Sequence, residues 1–185
     1  FYSAAQIIFP NGVFPPINDA SRTMDIRAAG PLIGHNIAYL RYGADPNLLA
    51  IASIQKEVYP SPAGLAVARD HAEANTEHEL RWNSVEFRDG FDGERGGLGI
   101  LRAGGGINQS MVLMKYGVHG LGHGHFDKLH ISFFDQGREV LHDYGFGRWI
   151  NIEPKFGGRY LPENDSYAKQ TIAHNTLVVD QQSQN

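Results

Sequence analysis

The chain contains no cysteine among its 185 residues, which excludes a disulfide framework and any metal site built from thiolate ligands. It also lacks an apolar run near the roughly 18 residues that indicate a membrane-spanning helix. Positive charge is scarce, because 16 Lys and Arg residues face 20 Asp and Glu residues and give a net charge of −4. Since non-specific nucleic-acid binding needs a basic surface, we expect neither a nucleic-acid partner nor a membrane partner.

The residues that are present are typical of a globular protein. Hydrophobic residues make up 42% of the chain, charged residues 19%, and there are 22 glycines. The chain is therefore too apolar for a disordered tail and too interrupted by glycine for a coiled coil. It opens on Phe-Tyr-Ser-Ala-Ala, which resembles the inside of a helix, and it ends just after a strand-like run. We therefore expect it to be a piece of a larger protein.

The two halves of the chain differ in sequence pattern, and we place the domain boundary near residue 94. Before it, Asp45 and Ser61 each precede a proline, which predicts a helix cap followed by the first helical residue. Residues 32–40 are apolar enough for a buried helix. After it, turn sequences separate short β-rich runs with no helix between them, which indicates an antiparallel sheet. These runs are residues 98–102, 111–116, 129–135, 139–144 and 176–180.

Histidine is the informative residue type, since five of the nine histidines lie within residues 119–142. His123 and His125 stand in a Gly-His-Gly-His run, and residues two apart in an extended segment face the same side. The flanking glycines let the backbone turn sharply or approach closely. Taken alone, such a pair is more often a glycine-rich surface loop than a site.

Two later residues favour a metal site. Asp143 is a carboxylate that closes an apolar run, and His174 stands just before another. Two imidazoles and one carboxylate from separate strands would suit zinc. The alternatives are a turn residue for Asp143 and an ordinary core histidine for His174.

The stretch between these two residues is rich in side chains that can bind a sugar acid. Arg148 can pair with a carboxylate while the neighbouring Trp149 stacks on a sugar ring. Tyr160 follows two glycines and so stands on a pliable loop. The commoner alternative is a solvated loop with a mixture of charges.

Four blocks of sequence occur in an order that resembles a known family. They read Gly-His-Gly-His-Phe-Asp at 122–127, Asp-Tyr-Gly at 143–145, Gly-Arg-Tyr-Leu-Pro-Glu-Asn at 158–164 and Ala-His-Asn-Thr at 173–176. Together they resemble the heparinase II/III-like polysaccharide lyases, and within them the family 17 alginate (oligoalginate) lyases. The resemblance implies a multidomain α+β protein. Residues 1–94 would be the last helices of an (α/α) toroid, and residues 95–185 the first part of an antiparallel β-sandwich.

The resemblance also implies roles for the candidate residues. His125, Asp143 and His174 would hold a structural zinc beneath the active site. His123 would face the substrate and Tyr160 would lie at the scissile bond.

Arg148 would contact a substrate carboxylate. The family's remaining essential groups, an Asn-His pair and a second tyrosine on toroid helices, have no match in this chain. We expect them to precede it.

The function that the resemblance implies is cleavage of alginate or oligoalginate by β-elimination, with exo action and a periplasmic or secreted location. It also admits a homodimer. Three alternatives stay open: a lyase for heparin-type glycosaminoglycans, a zinc-stabilised carbohydrate-binding module, and an inactive fragment. A catalytic zinc is also open, although β-elimination has no use for a metal hydroxide.

Overall fold

The computed structural model describes residues 2–74, 78–118, 122–151 and 153–184. These residues form two compact units. The first takes the described residues of 1–8, 12–14 and 25–82, and the second takes those of 9–11, 15–24 and 83–185. No helix among the described residues is both long and apolar enough to cross a membrane.

The first unit is helical. Its helices are α1 (Tyr2–Ile7), α2 (Ala29–Arg41), α3 (Pro46–Gln55) and α4 (Pro62–Glu73). Both predicted helix starts are confirmed. The Asp45 carboxylate accepts a hydrogen bond from the Asn47 backbone N–H at 2.9 Å, and Ser61 Oγ accepts one from that of Gly64 at 3.1 Å. Each cap satisfies an N–H group that has no partner within its own helix.

The core of this unit forms where α2, α3 and α4 face each other. Ala38, Ile51 and Val67 are almost fully buried in it. Gln55 is buried as well, and its Nε2 donates to the Ile26 carbonyl at 2.8 Å, so this N–H group has a partner inside an apolar core.

The second unit contains one antiparallel sheet of five strands in the order β1-β2-β3-β4-β5. The strands are β1 (Val85–Arg88), β2 (Gly97–Ala103), β3 (Ser110–Lys115), β4 (His130–Asp135) and β5 (Arg138–Leu141). Four of the predicted β runs are thereby confirmed with shifted ends. The first strand was not predicted, because it has only four residues and turn sequences follow it.

The prediction of a strand over residues 176–180 is wrong. This stretch contributes only an isolated bridge between Val179 and Gln182, and the side chains of Leu177 and Val179 are exposed. His174 therefore does not enter a buried strand. An apolar run becomes a strand only where a neighbouring strand accepts its hydrogen bonds, and no described strand takes that place.

The inner face of the sheet changes from apolar to polar along the strands. Phe9 stacks on Phe134 at the apolar end, with ring centroids 5.3 Å apart. The buried β3–β4 pairs are, in order, Met111 with Phe134, Leu113 with Ser132, and Lys115 with His130. The candidate site lies at the polar end of this face.

The main chain leaves the helical unit after Trp82, and the sheet unit also takes residues 15–24 from the first part of the chain. The division near residue 94 into toroid and sandwich stays a prediction.

Candidate metal centre and active site

Three buried side chains converge at the polar end of the sheet. One ligand atom from each of His130, Asp143 and His174 lies within 4.8 Å of the other two. Asp143 Oδ2 accepts a hydrogen bond from His174 Nδ1 at 2.7 Å and lies 3.5 Å from His130 Nδ1. The structure therefore forms a possible metal-binding triad from three separate segments.

Local structure places each member of this triad. Asp143 follows β5, and its Oδ1 accepts from the Gly145 backbone N–H at 2.7 Å. Gly145 has a φ of +61°, and a Cβ there would collide with the carbonyl oxygen of Ala20. This turn therefore requires glycine. His174 follows a 3₁₀ turn over Thr171–Ala173. His130 begins β4, and its Nε2 pairs with Ser132 Oγ at 3.0 Å.

The chemistry of this group fits a divalent metal. The Asp143 carboxylate is 3% exposed, and a buried carboxylate needs a compensating charge. His174 Nε2 is buried and has no hydrogen-bond partner among the residues that the structure describes. Burial lowers the pKa of His130 and outweighs the nearby Asp143 carboxylate, which acts to raise it. The lowered pKa favours the neutral imidazole, which is the form that metals bind.

His125 lies beside this triad. It is fully buried, and its ring centroid is 5.2 Å from that of His174. Among the described residues, the three side chains whose ligand atoms come within 4.8 Å of one another are His130, Asp143 and His174, so His125, for which the sequence predicts zinc binding, lies next to this group and is not part of it. Burial lowers the pKa of His125, and its hydrogen bond to Asp19 opposes that effect. His125 Nε2 lies 2.9 Å from Asp19 Oδ1.

Sequence reasoning missed His130. Its signal was available in the alternation of β4, where His130, Ser132 and Phe134 share the buried face.

His123 takes a different environment from His125. Its side chain is 70% exposed, and its Nδ1 lies 2.8 Å from Asp19 Oδ2. The two histidines of the Gly-His-Gly-His run therefore share one carboxylate, with one imidazole buried and the other open to solvent.

Arg148 lies on a 3₁₀ turn over Gly147–Trp149 and is stacked between aromatic rings. Its Cζ is 4.9 Å from the ring centroid of Trp149 and 4.3 Å from that of Phe156. Its Nε is buried and has no hydrogen-bond partner among the described residues. Stacking on these two rings holds the guanidinium in place.

Tyr160 ends a second 3₁₀ turn, Gly158–Tyr160, and is 79% exposed. Its hydroxyl accepts a hydrogen bond from Arg159 Nη2 at 3.2 Å. The same guanidinium lies against Gly122, where an added Cβ would be 2.5 Å from Nη1. The Tyr160 turn therefore lies beside the loop that carries His123.

The turns that carry Arg148 and Tyr160 are joined by Asn164. This side chain is fully buried, and its Oδ1 accepts from the Gly147 backbone N–H at 2.6 Å. Its Nδ2 donates to the Gly158 carbonyl at 2.8 Å. One amide thus fixes the spacing of the two turns.

Replacing Asn164 with alanine is expected to lower the free energy of unfolding by about 2 kcal/mol, because it leaves a buried N–H without its acceptor. Urea denaturation checks this. Asn108→Ala is the control, because Asn108 is exposed and its loss should change stability by less than about 0.5 kcal/mol. Equal denaturation midpoints for the two variants would contradict the role given to Asn164.

Residues 87–185 match the family described as Heparinase II/III-like, C-terminal. The chain belongs to the heparinase II/III-like family. The resemblance seen in the sequence blocks is confirmed at this level.

Five solved structures of heparinase type show the same fold, including a heparinase III (TM-score 0.62, 15% identity, 98% of this chain and 26% of that one). A heparan sulfate lyase from Pedobacter heparinus gives a TM-score of 0.55 at 18% identity, with 98% of this chain and 23% of that one covered.

Two relatives of this heparinase II/III-like chain are more similar in sequence. An alginate lyase of Stenotrophomonas maltophilia is 50% identical over 172 residues, which is 93% of this chain. An exo-oligoalginate lyase of Saccharophagus degradans is 44% identical over the same share. The chain spans 23% of the length of each relative.

Proposed function

We propose that this chain is part of a polysaccharide lyase that cleaves alginate or oligoalginate by β-elimination, of the family 17 type. The observation that carries the proposal is the 44–50% identity over 93% of the chain to proteins named alginate lyase and exo-oligoalginate lyase. The second of these names supports exo action. A periplasmic or secreted location and a homodimer belong to the proposal on the family resemblance alone.

Arg148 is proposed to bind the substrate carboxylate. Alginate is a chain of 1,4-linked uronic acids, and its C5 proton is only weakly acidic while the neighbouring carboxylate stays charged. A cationic donor at that carboxylate stabilises the negative charge that builds up when the proton leaves. Arg148 suits this task because two aromatic rings hold its guanidinium in place.

Tyr160 and His123 are proposed as the acid–base groups on this side of the active site. In β-elimination the base takes the C5 proton, a C4–C5 double bond forms, and the 4-linked oxygen leaves with a proton. Tyr160 can move a proton at its hydroxyl oxygen, and His123 at an imidazole nitrogen. Both side chains are exposed, as groups that meet a polysaccharide must be.

The proposed metal is zinc, held by Asp143 and His174 with His125 as the third ligand and His130 adjacent. Imidazole and carboxylate are the usual zinc ligands where no thiolate is present. When bound, zinc would link three segments: the turn after β5 that carries Asp143, the segment that carries His174, and the loop that carries His125. We assign it a structural role because β-elimination consumes no water.

Incubation of the full-length protein with oligoalginate is expected to raise the ultraviolet absorbance that a new C4–C5 double bond produces. Polymannuronate, polyguluronate and heparan sulfate complete the substrate panel. The net charge of −4 argues against a sulfated substrate, so heparan sulfate should give no signal. A rise in absorbance on heparan sulfate alone would show that the substrate is a glycosaminoglycan and not alginate. No rise on any uronate polymer would contradict the lyase proposal.

A further inference from the structure

Asp19 is a carboxylate that contacts both histidines of the Gly-His-Gly-His run. Its Oδ2 lies 2.8 Å from His123 Nδ1, and its Oδ1 lies 2.9 Å from His125 Nε2. The side chain of Asp19 is only 9% exposed. A nearly buried carboxylate therefore bridges an exposed imidazole and a buried one.

The backbone around Asp19 is fixed by contacts within the same compact unit. The preceding residue, Asn18, has a φ of +56°, and its Oδ1 accepts from Lys115 Nζ at 2.6 Å. Lys115 is buried and also forms an ion pair with Asp127. The following residue, Ala20, lies against Gly145. The direction of the Asp19 side chain is thus set by residues on both sides of it.

An ionised carboxylate can only accept hydrogen bonds, so each ring nitrogen that faces Asp19 must carry the proton. For His123 this places the proton on Nδ1 and leaves Nε2 as the acceptor in the neutral ring. For His125 it places the proton on Nε2. One carboxylate therefore selects the tautomer of both imidazoles.

We infer that Asp19 is a positioning residue that holds His123 in the tautomer and orientation for accepting a proton and orients His125 for metal binding. The His123 part rests on the proposed lyase function. A carboxylate behind a catalytic imidazole fixes its tautomer, and loss of the correct tautomer lowers kcat. A metal-binding histidine commonly donates its other N–H to a carboxylate, which fixes the ring in place.

Asp19→Asn in the full-length protein tests the inference. An asparagine amide can accept from one histidine but must offer N–H groups to the other, so one imidazole loses its partner or changes tautomer. We expect kcat on oligoalginate to fall ~10–100-fold with KM changed less than about threefold, and zinc affinity measured by chelator competition to fall ~10-fold or more. Asp19→Glu restores a carboxylate and should retain more activity than Asp19→Asn.

Asp165→Asn is the matched control, because it removes the same charge from a side chain that is 85% exposed in the same unit. If Asp19→Asn matched this control in kcat and in zinc affinity, the inference would be overturned. It would also be overturned if Asp19→Asn lost zinc as completely as Asp143→Ala, since Asp19 would then be a metal ligand. An inactive wild-type protein that binds zinc would refute the lyase proposal, and the zinc comparison would then decide on Asp19 alone.

Discussion

Replacing Tyr160 with phenylalanine is expected to lower kcat on oligoalginate by about 10²–10⁴-fold, the usual contribution of a positioned acid or base. The substitution removes only the hydroxyl. That hydroxyl contacts Arg159, on a side chain that is 79% exposed, so no buried group loses a partner. The melting temperature should therefore stay within experimental error, which separates a chemical role from a structural one.

Tyr116→Phe provides the matched control for this experiment. The Tyr116 hydroxyl donates to Glu86 at 2.6 Å, and the side chain lines an apolar groove with Leu101 and Met114, on the face of the sheet opposite the buried face that carries Lys115 and His130. Its loss should leave kcat unchanged. Steady-state kinetics on the full-length protein measures both variants. A Tyr160→Phe enzyme that keeps more than half of the wild-type kcat would remove Tyr160 from the chemistry.

Replacing Asp143 with alanine is expected to abolish metal binding and to lower the free energy of unfolding by about 3–5 kcal/mol. The carboxylate is buried, and its loss leaves the Gly145 backbone N–H and His174 Nδ1 without their acceptor. Elemental analysis of the purified protein measures the metal, and denaturant unfolding measures stability. The wild-type protein should lose stability when a chelator is added, and Asp143→Ala should not respond to it.

Asp165→Ala is the control for Asp143→Ala, since the same atoms are removed from an exposed side chain. Comparison of His125→Ala with His130→Ala then identifies the third ligand, because loss of a ligand should lower metal content more than loss of a neighbour. Unchanged metal content in Asp143→Ala, together with a wild-type stability that is indifferent to chelator, would contradict the metal site.

The strand sequences do not show which face of the sheet is buried, as the apolar groove lined by Tyr116 illustrates. Leu101 and Met114 lie exposed along it, while Ile100 and Leu113 on the same strands are buried. Both strands contain mostly apolar residues, so the sequence could not tell the buried side of the sheet from the exposed one. Burial depends on which side the other segments cover, and that is a property of the packed unit.

Features that arise from neighbouring residues could be predicted without the structure. Asp45 and Ser61 begin helices because a cap acts within three residues of itself, and the four confirmed β runs could be predicted because the turn sequences that separate them are also local. The order of the four blocks was enough to predict the heparinase II/III-like family, and it indicated Asp143 and His174 as partners.

The residues that contact those groups from distant parts of the chain could be identified only from the way the segments pack. Asp19 lies 104 residues before His123 and belongs to none of the sequence blocks discussed above, yet it contacts both histidines of the run. His130 lies 3.5 Å from Asp143, which follows β5, the strand that pairs with β4. Residues 176–180 have the composition of a strand, but no strand in the described part of the chain pairs with them. Hydrogen bonds between remote segments depend on how those segments pack, so composition and spacing along the chain do not contain them.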